Sequence, residues 1–186
     1  MLLERLRPVT RLVDTVRVVN IRPETPADYE AIAGVVTAAA SANDARLVEL
    51  IRASDNYDPA LALVAESESA IVGHILFSYV ELRGQRTTRV LALAPMAVGP
   101  THQRTGIGSA LVEAGLKKAD ALGGPLVLVL GHAGYYPRFG FEPARPLGIE
   151  PPFSDLPDDV WMIKRLSSYS ERFRGTVSYP PAFDVA

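Results

Sequence analysis

The sequence predicts a mixed α/β layer protein: a central sheet flanked by helices. Three observations carry this expectation. The apolar patterning runs strand, two helices, three strands, helix, strand, then a terminal strand. The run "LVLVL", Leu126 to Leu130, is apolar at every position, as in a strand buried on both faces. Two glycines, Gly106 and Gly108, sit at the head of a segment that otherwise reads as a good helix.

In order along the chain, residues 1–14 read as an N-terminal extension, followed by one domain over residues 15–166 and a C-terminal tail over 167–186. "TVRVVNIRP" is a strand ended by Pro23. Thr25 as N-cap, Pro26 at the first helical position and Asp28 in the first turn start a helix with Ile32, Val35 and Val36 on its apolar side. A second helix over Ala45 to Ala53 presents Leu47, Leu50 and Ile51. "ALALVAES" and "AIVGHILFSYVEL" are strands joined by a polar turn at Glu68, and "TRVLALAPMAV" is the next strand, with Pro95 inside it. The glycine-headed helix runs from Gly106 to about Leu122, with Ile107, Leu111, Leu116 and Ala119 at helical spacing. "YYPRFGFEP" is an aromatic turn and "DVWMIKRL" the last strand; the tail, with Pro180 and Pro181, is expected to wrap the surface or fray.

Composition narrows the function. The 186 residues are enough for one sizeable core, and 48% hydrophobic with 22% charged residues is ordinary for a soluble domain. A net charge of −2 offers no wide basic field for nucleic acid. There is no cysteine, which excludes disulfides, thiolate nucleophiles and Cys-based metal sites, and no metal site is expected. "MLLERLRPVTRLVD" has no apolar run long enough for a signal peptide or a membrane span, so no membrane partner and a cytoplasmic location are expected.

The loop "QRTGIG", Gln103 to Gly108, bridges a strand and a helix. Successive loop amides and the positive end of the helix dipole form an anion cradle. It is not a P-loop, because no lysine followed by Ser/Thr comes after the last glycine. It is not a dinucleotide fingerprint either, because Leu111 stands where a third glycine would fall. A tight strand-to-helix turn is the plain alternative. Pro95 adds context: it cannot donate to a ladder, so "APMAV" can splay from "PLVLVL" and leave amides and carbonyls of Met96, Ala97 and Val98 free for an extended, amide-bearing ligand. A ligand with a pyrophosphate at one end and an extended amide chain at the other is coenzyme A.

On these residues the sequence resembles a GNAT-superfamily N-acetyltransferase. The strand "LALAPMAV", the loop "QRTGIGSALV" (fitting the family's Q/R-x-x-G-x-G/A pattern) and "YYPRFGF" carry the resemblance, and "IVGHILFS" resembles the third strand of a bacterial subgroup. It covers roughly residues 16–166. It implies a mixed, mostly antiparallel sheet with splayed middle strands, acetyl-CoA as donor, and a small-molecule or peptide amine as acceptor, with a homodimer as a candidate assembly. It places Met96, Ala97 and Val98 against the pantetheine. Gln103, Arg104, Thr105, Gly106, Ile107, Gly108 and Ser109 surround the pyrophosphate, with Phe139 also on the cofactor side. Tyr136 stands next to the thioester sulfur as general acid. Many family members carry an asparagine near Val129; that contact is missing here or is supplied by His132.

A strand amide near Ala97 or Val98 can polarise the thioester carbonyl. A phenol near pKa 10 can protonate a thiolate whose thiol lies near 8.5. The alternative for Tyr136 is an aromatic packing on Phe139 and Phe141, with Tyr135 as the other donor. Glu49, His74 and His132 are the candidate bases, beside water; a solvated Glu49 and a core His74 are the plainer readings. A non-catalytic acyl-CoA-binding regulatory module is the competing function.

Overall fold

In a computed structural model, residues 19–153 and 155–185 are described. The expected extension, and the first residues of the expected first strand, lie outside them. β1 (Asn20–Pro23) leads into a single 3-10 turn, Pro26–Asp28, and then α1 (Tyr29–Ala39). The start is held as the sequence suggests: the Asp28 carboxylate accepts the Thr25 N–H at 2.7 Å and its hydroxyl at 2.9 Å. Arg22 donates to both oxygens of the same carboxylate and holds its pKa well below the usual range. α2 (Ala42–Arg52) begins three residues before the expected Ala45, because the Ser41 hydroxyl caps it by accepting the Asp44 N–H at 3.1 Å.

β2 (Ala62–Ser67) and β3 (Ala70–Arg83) form a hairpin whose two turn residues, Glu68 and Ser69, have φ of 51° and 65°. β4 (Thr87–Val98) pairs along β3, but Leu93 opposes Phe77 and Met96 opposes Ile75, so Ala94 and Pro95 together face Leu76 in a bulge. α3 (Ile107–Ala121) returns the chain to β5 (Leu126–Leu130), which runs parallel to β4. β6 (Glu142–Pro143) and β7 (Ile149–Glu150) are two-residue strands, followed by β8 (Trp161–Arg165) and β9 (Gly175–Ser178). The sheet order is β1-β2-β3-β4-β5-β8-β6, with β9 antiparallel to the far end of β3 and parallel to β7.

The sheet is covered on both faces. On one, Ile107, Leu111, Val112 and Leu116 of α3 pack on Ile75, Phe77, Leu93 and Val127. The approach is close: a Cβ on Gly115 would fall 2.1 Å from the Phe77 ring, so only glycine lets the helix lie there. On the other, Ile32 and Val36 of α1 and Leu47, Val48 and Ile51 of α2 pack on Ala62, Val64, Leu76 and Ala97.

The segment after Ser167 corrects the expectation of a surface tail. Phe173 and Val177 are buried with Trp161 and Val80, β9 completes the sheet beside β3, and Ala182 and Phe183 of the 3-10 turn Pro181–Val185 pack against the α1/α2 cluster. The short strands escaped detection because two- and four-residue strands carry too few side chains for an alternating pattern. No described helix is long and apolar enough to cross a membrane.

Candidate active site

β4 and β5 pair only at Leu91–Val127 and Ala92–Leu128. Beyond the bulge at Pro95 they part, and a cleft of about 1810 Å³ opens between them. Met96, Ala97 and Val98 line it. The Gly99 N–H bonds to the Val72 carbonyl at 2.9 Å, so alternation turns the Ala97 amide toward β3 and those of Met96 and Val98 toward the gap. Of the two amides expected to reach a ligand carbonyl, Val98 has the right edge and Ala97 does not. The Val98 carbonyl is taken by the Gln103 side chain at 3.0 Å, which ties the loop to the end of β4.

One end of the cleft is the head of α3. Gly106 is its N-cap, with φ 92°, a conformation that favours glycine, and it has no side chain to offer the helix. The first turn holds no acidic residue, so the leading amides meet no capping side chain among the described residues. Thr105 does not serve there; its hydroxyl donates to the His102 carbonyl at 2.6 Å. Arg104 (φ 60°) is exposed and lines the cleft beside Gly106, Gly108 and Ser109. Arg138 lies over the Tyr135 ring, 4.3 Å from its centroid, and also faces the cleft. The result is a positive end built from backbone amides and two guanidinium groups.

The two adjacent tyrosines divide. Tyr135 places its hydroxyl over the helix head, 2.8 Å from where a Cβ on Gly108 would be. Tyr136 is buried, its ring edge-on to Tyr135 at 5.1 Å and to Phe141 at 5.4 Å. Gly131 makes room for that ring: a Cβ there would fall 2.2 Å from it. Tyr136 therefore lies against the end of β5, where the gap opens, and no described group hydrogen-bonds its hydroxyl. Burial pushes its pKa up to about 12, with the neighbouring Tyr135 adding to the effect.

The other end of the cleft is formed by α2, β9, the turn Pro181–Val185 and the loop before β8. Asp44 and Asp184 bring carboxylates to it, and Phe153, Tyr179 and Phe183 bring apolar surface; Leu130, the last residue of β5, also lines the cleft.

Beneath α2 lies a buried polar cluster that does not open into the cleft. Glu24 accepts two hydrogen bonds from Arg52, at 2.7 and 2.9 Å, one from Tyr57 at 2.9 Å, and contacts His74 Nε2 at 2.8 Å. Burial alone would raise the Glu24 pKa, but the hydrogen bonds from Arg52 and His74 outweigh it and hold it at about 2. Burial lowers the His74 pKa, against the pull of Glu24. A neutral ring with Nε2–H donating to Glu24 fits, and leaves Nδ1 without a partner.

Comparison with known proteins decides the family. The sequence profile of the "Acetyltransferase (GNAT) family" matches residues 29–141. The chain belongs to the GNAT acetyltransferase family. It is 36% identical over 139 residues to the uncharacterized N-acetyltransferase YjhQ of Escherichia coli K12, covering 72% of this chain and 76% of that one. It is similar in structure to E. coli YhbS, a GNAT family N-acetyltransferase solved in complex with CoA, with a TM-score of 0.83 and 27% identity over 92% of this chain and 94% of that one. It is also similar to a GNAT family acetyltransferase of Brucella melitensis solved with acetyl-CoA, with a TM-score of 0.73 and 29% identity over 90% and 99% of the two chains.

Within this GNAT domain the residues singled out from sequence fall into two sets. Met96, Ala97, Val98, Gln103, Arg104, Gly106, Gly108, Ser109, His132 and both tyrosines meet in the cleft. Ile107 points its side chain into the core, and Phe139 packs on Tyr135 at 5.3 Å instead of lining the cleft. His74 is the core residue just described. Glu49 is exposed and paired with Arg46 at 2.8 Å. Neither lines the cleft, which leaves His132 as the one candidate base of the three that does. Val129, where many GNAT proteins have asparagine, is buried in the core under α3. Sequence reading passed over Arg138, Asp44, Asp184, Tyr179 and Phe183. For the last three the apolar density Phe173, Val177, Tyr179, Phe183 was the available signal that the tail belongs to the fold.

Proposed function

We propose that this protein transfers the acetyl group of acetyl-CoA to a small-molecule or peptide amine by direct attack. The uncapped head of α3, opening into the gap between β4 and β5, carries this reading. It suits a pyrophosphate, and the free edge of β4 suits an extended amide chain. The CoA and acetyl-CoA complexes of the two similar structures support the same donor. In the reaction the amine nitrogen forms a bond to the thioester carbonyl carbon, the carbon–sulfur bond breaks, and the sulfur takes a proton while the nitrogen loses one. The Val98 N–H stabilises the negative charge that develops on the carbonyl oxygen. The Tyr136 hydroxyl, protonated at neutral pH and placed where the gap opens, supplies the proton to sulfur. The nitrogen's proton leaves through His132 or water.

Calorimetry tests the donor. The native chain should bind CoA, and Gly108→Leu should weaken binding more than about tenfold. Its side chain would collide with the Tyr135 hydroxyl and occupy the anion site. Native protein that binds no CoA would sink the proposal. CoA binding without transfer to any amine would make the chain a binding module instead.

Arg104 should contribute charge. Arg104→Ala is expected to raise the donor KM on the order of tenfold at low salt. The effect should largely vanish near 1 M salt, where screening acts within about 3 Å. An equal KM for both proteins at low salt would leave the phosphates to the amides and Arg138.

A further inference from the structure

The far end of the cleft has a composition of its own. Among the described residues only Leu122, Leu130 and Phe153 are large apolar side chains left exposed, at 52%, 47% and 56%. Two of the three, Leu130 and Phe153, line this cleft. Apolar surface gathered in a concave site and left open to water marks a place where something apolar docks. Tyr179 and Phe183 extend it as a tilted pair, with centroids 4.6 Å apart and ring planes at 41°. No described group hydrogen-bonds the Tyr179 hydroxyl.

Charge separates the two ends. The helix head carries Arg104 and Arg138. The far end carries Asp44 and Asp184, on α2 and on the turn packed against it. The Ser41 hydroxyl donates to the Asp44 carboxylate and fixes its orientation. No described cation pairs with Asp184. Arg83 also lines this side of the cleft, opposite Thr176 of β9, and forms an exposed pair with Glu81 at 2.8 Å.

We infer that the acceptor is a primary amine, cationic at neutral pH, borne on an apolar body of about the size of an aromatic ring, which docks between Phe153, Leu130 and the Tyr179–Phe183 pair while Asp44 and Asp184 attract its ammonium group. Recognition rests on the cleft alone; acetylation of the docked amine rests on the acetyltransferase reading. A polyhydroxylated amine would leave its hydroxyls against Leu130, Phe153 and Phe183 without partners and is disfavoured. Asp44 and Asp184 recruit the cation; neither is assigned the proton transfer.

The test is a kinetic panel with acetyl-CoA and 2-phenylethylamine, ethanolamine, glucosamine and methylamine, on native protein, Phe153→Ser and Asp184→Asn. Both variants alter exposed side chains outside the donor end, so CoA affinity should not change. Phenylethylamine should exceed ethanolamine and glucosamine in kcat/KM by roughly tenfold or more. Phe153→Ser should erase most of that advantage. Asp184→Asn should raise the phenylethylamine KM roughly 3- to 10-fold at low salt, much less near 1 M salt, with kcat little changed. Glucosamine or ethanolamine used as well as phenylethylamine would overturn the inference. So would an Asp184→Asn protein that loses kcat at unchanged KM, since Asp184 would then act in the chemistry. If no amine is acetylated, calorimetry of phenylethylamine on the CoA-loaded protein separates the two ideas. Binding that Asp184→Asn weakens keeps the recognition claim and overturns acetylation of the docked amine; no binding overturns the recognition claim, while the acetyltransferase reading stands or falls on CoA binding and transfer to other amines.

Discussion

Tyr136→Phe is expected to lower kcat by roughly 10²- to 10⁴-fold while leaving CoA affinity within about twofold. The ring is locked by Tyr135, Phe141 and the space left at Gly131, and phenylalanine keeps all of those contacts. Only the hydroxyl is lost, and it stands where β5 ends and the cleft opens, without a described hydrogen-bond partner. Burial raises its pKa to about 12, so it remains a donor through the neutral range and a basic limb from its own ionisation should appear only well above pH 10. Tyr135→Phe should behave differently. Its hydroxyl lies over Gly108 at the anion end, so the change should appear in the donor KM more than in kcat. The measurement is steady-state kinetics once an acceptor is in hand, with calorimetry for CoA. A Tyr135→Phe enzyme without turnover beside an active Tyr136→Phe would reverse the two roles.

Arg52→Ala should destabilise the fold by about 3–5 kcal/mol at pH 7, because it leaves the Glu24 carboxylate buried with its principal counter-charge removed. The pH dependence identifies the cause. Glu24 has a folded pKa of about 2, below its unfolded value near 4.3, so its contribution is complete above pH 4.3 and is lost as pH falls toward 2. Without Arg52, burial raises that pKa and Glu24 takes up a proton at higher pH. The gap between variant and native protein should therefore narrow as pH falls from 7 toward 4, in urea or thermal unfolding. A gap independent of pH would assign Arg52 to its stacking on Tyr29, 3.9 Å from the ring centroid. The cluster also matters for the site: it anchors the C-terminal end of the helix whose first turns carry Asp44 and Leu47 into the cleft.

The sequence by itself determined the donor half of this protein. The loop and helix head that line the positive end of the cleft are consecutive residues, and their shape depends on glycines whose role is local, so a short string points to an anion cradle. Pro95 likewise marks a bulge, an edge or a stop in pairing, because it has no N–H to donate, and the structure makes it a bulge. The tyrosine turn is equally local. What only the tertiary structure decided is the assembly of distant segments. Glu24, Arg52, Tyr57 and His74 show no shared pattern in the chain, yet they form one buried network, and that network removes His74 from the candidate bases. The wall of the cleft that carries Asp44, Phe153 and Asp184 draws on α2, the loop before β8 and the segment after Ser167, three stretches far apart in sequence. That last segment looks like a tail because β9 is only four residues long and is held in the sheet by pairing with β3 and β7, a long-range interaction that no local periodicity records.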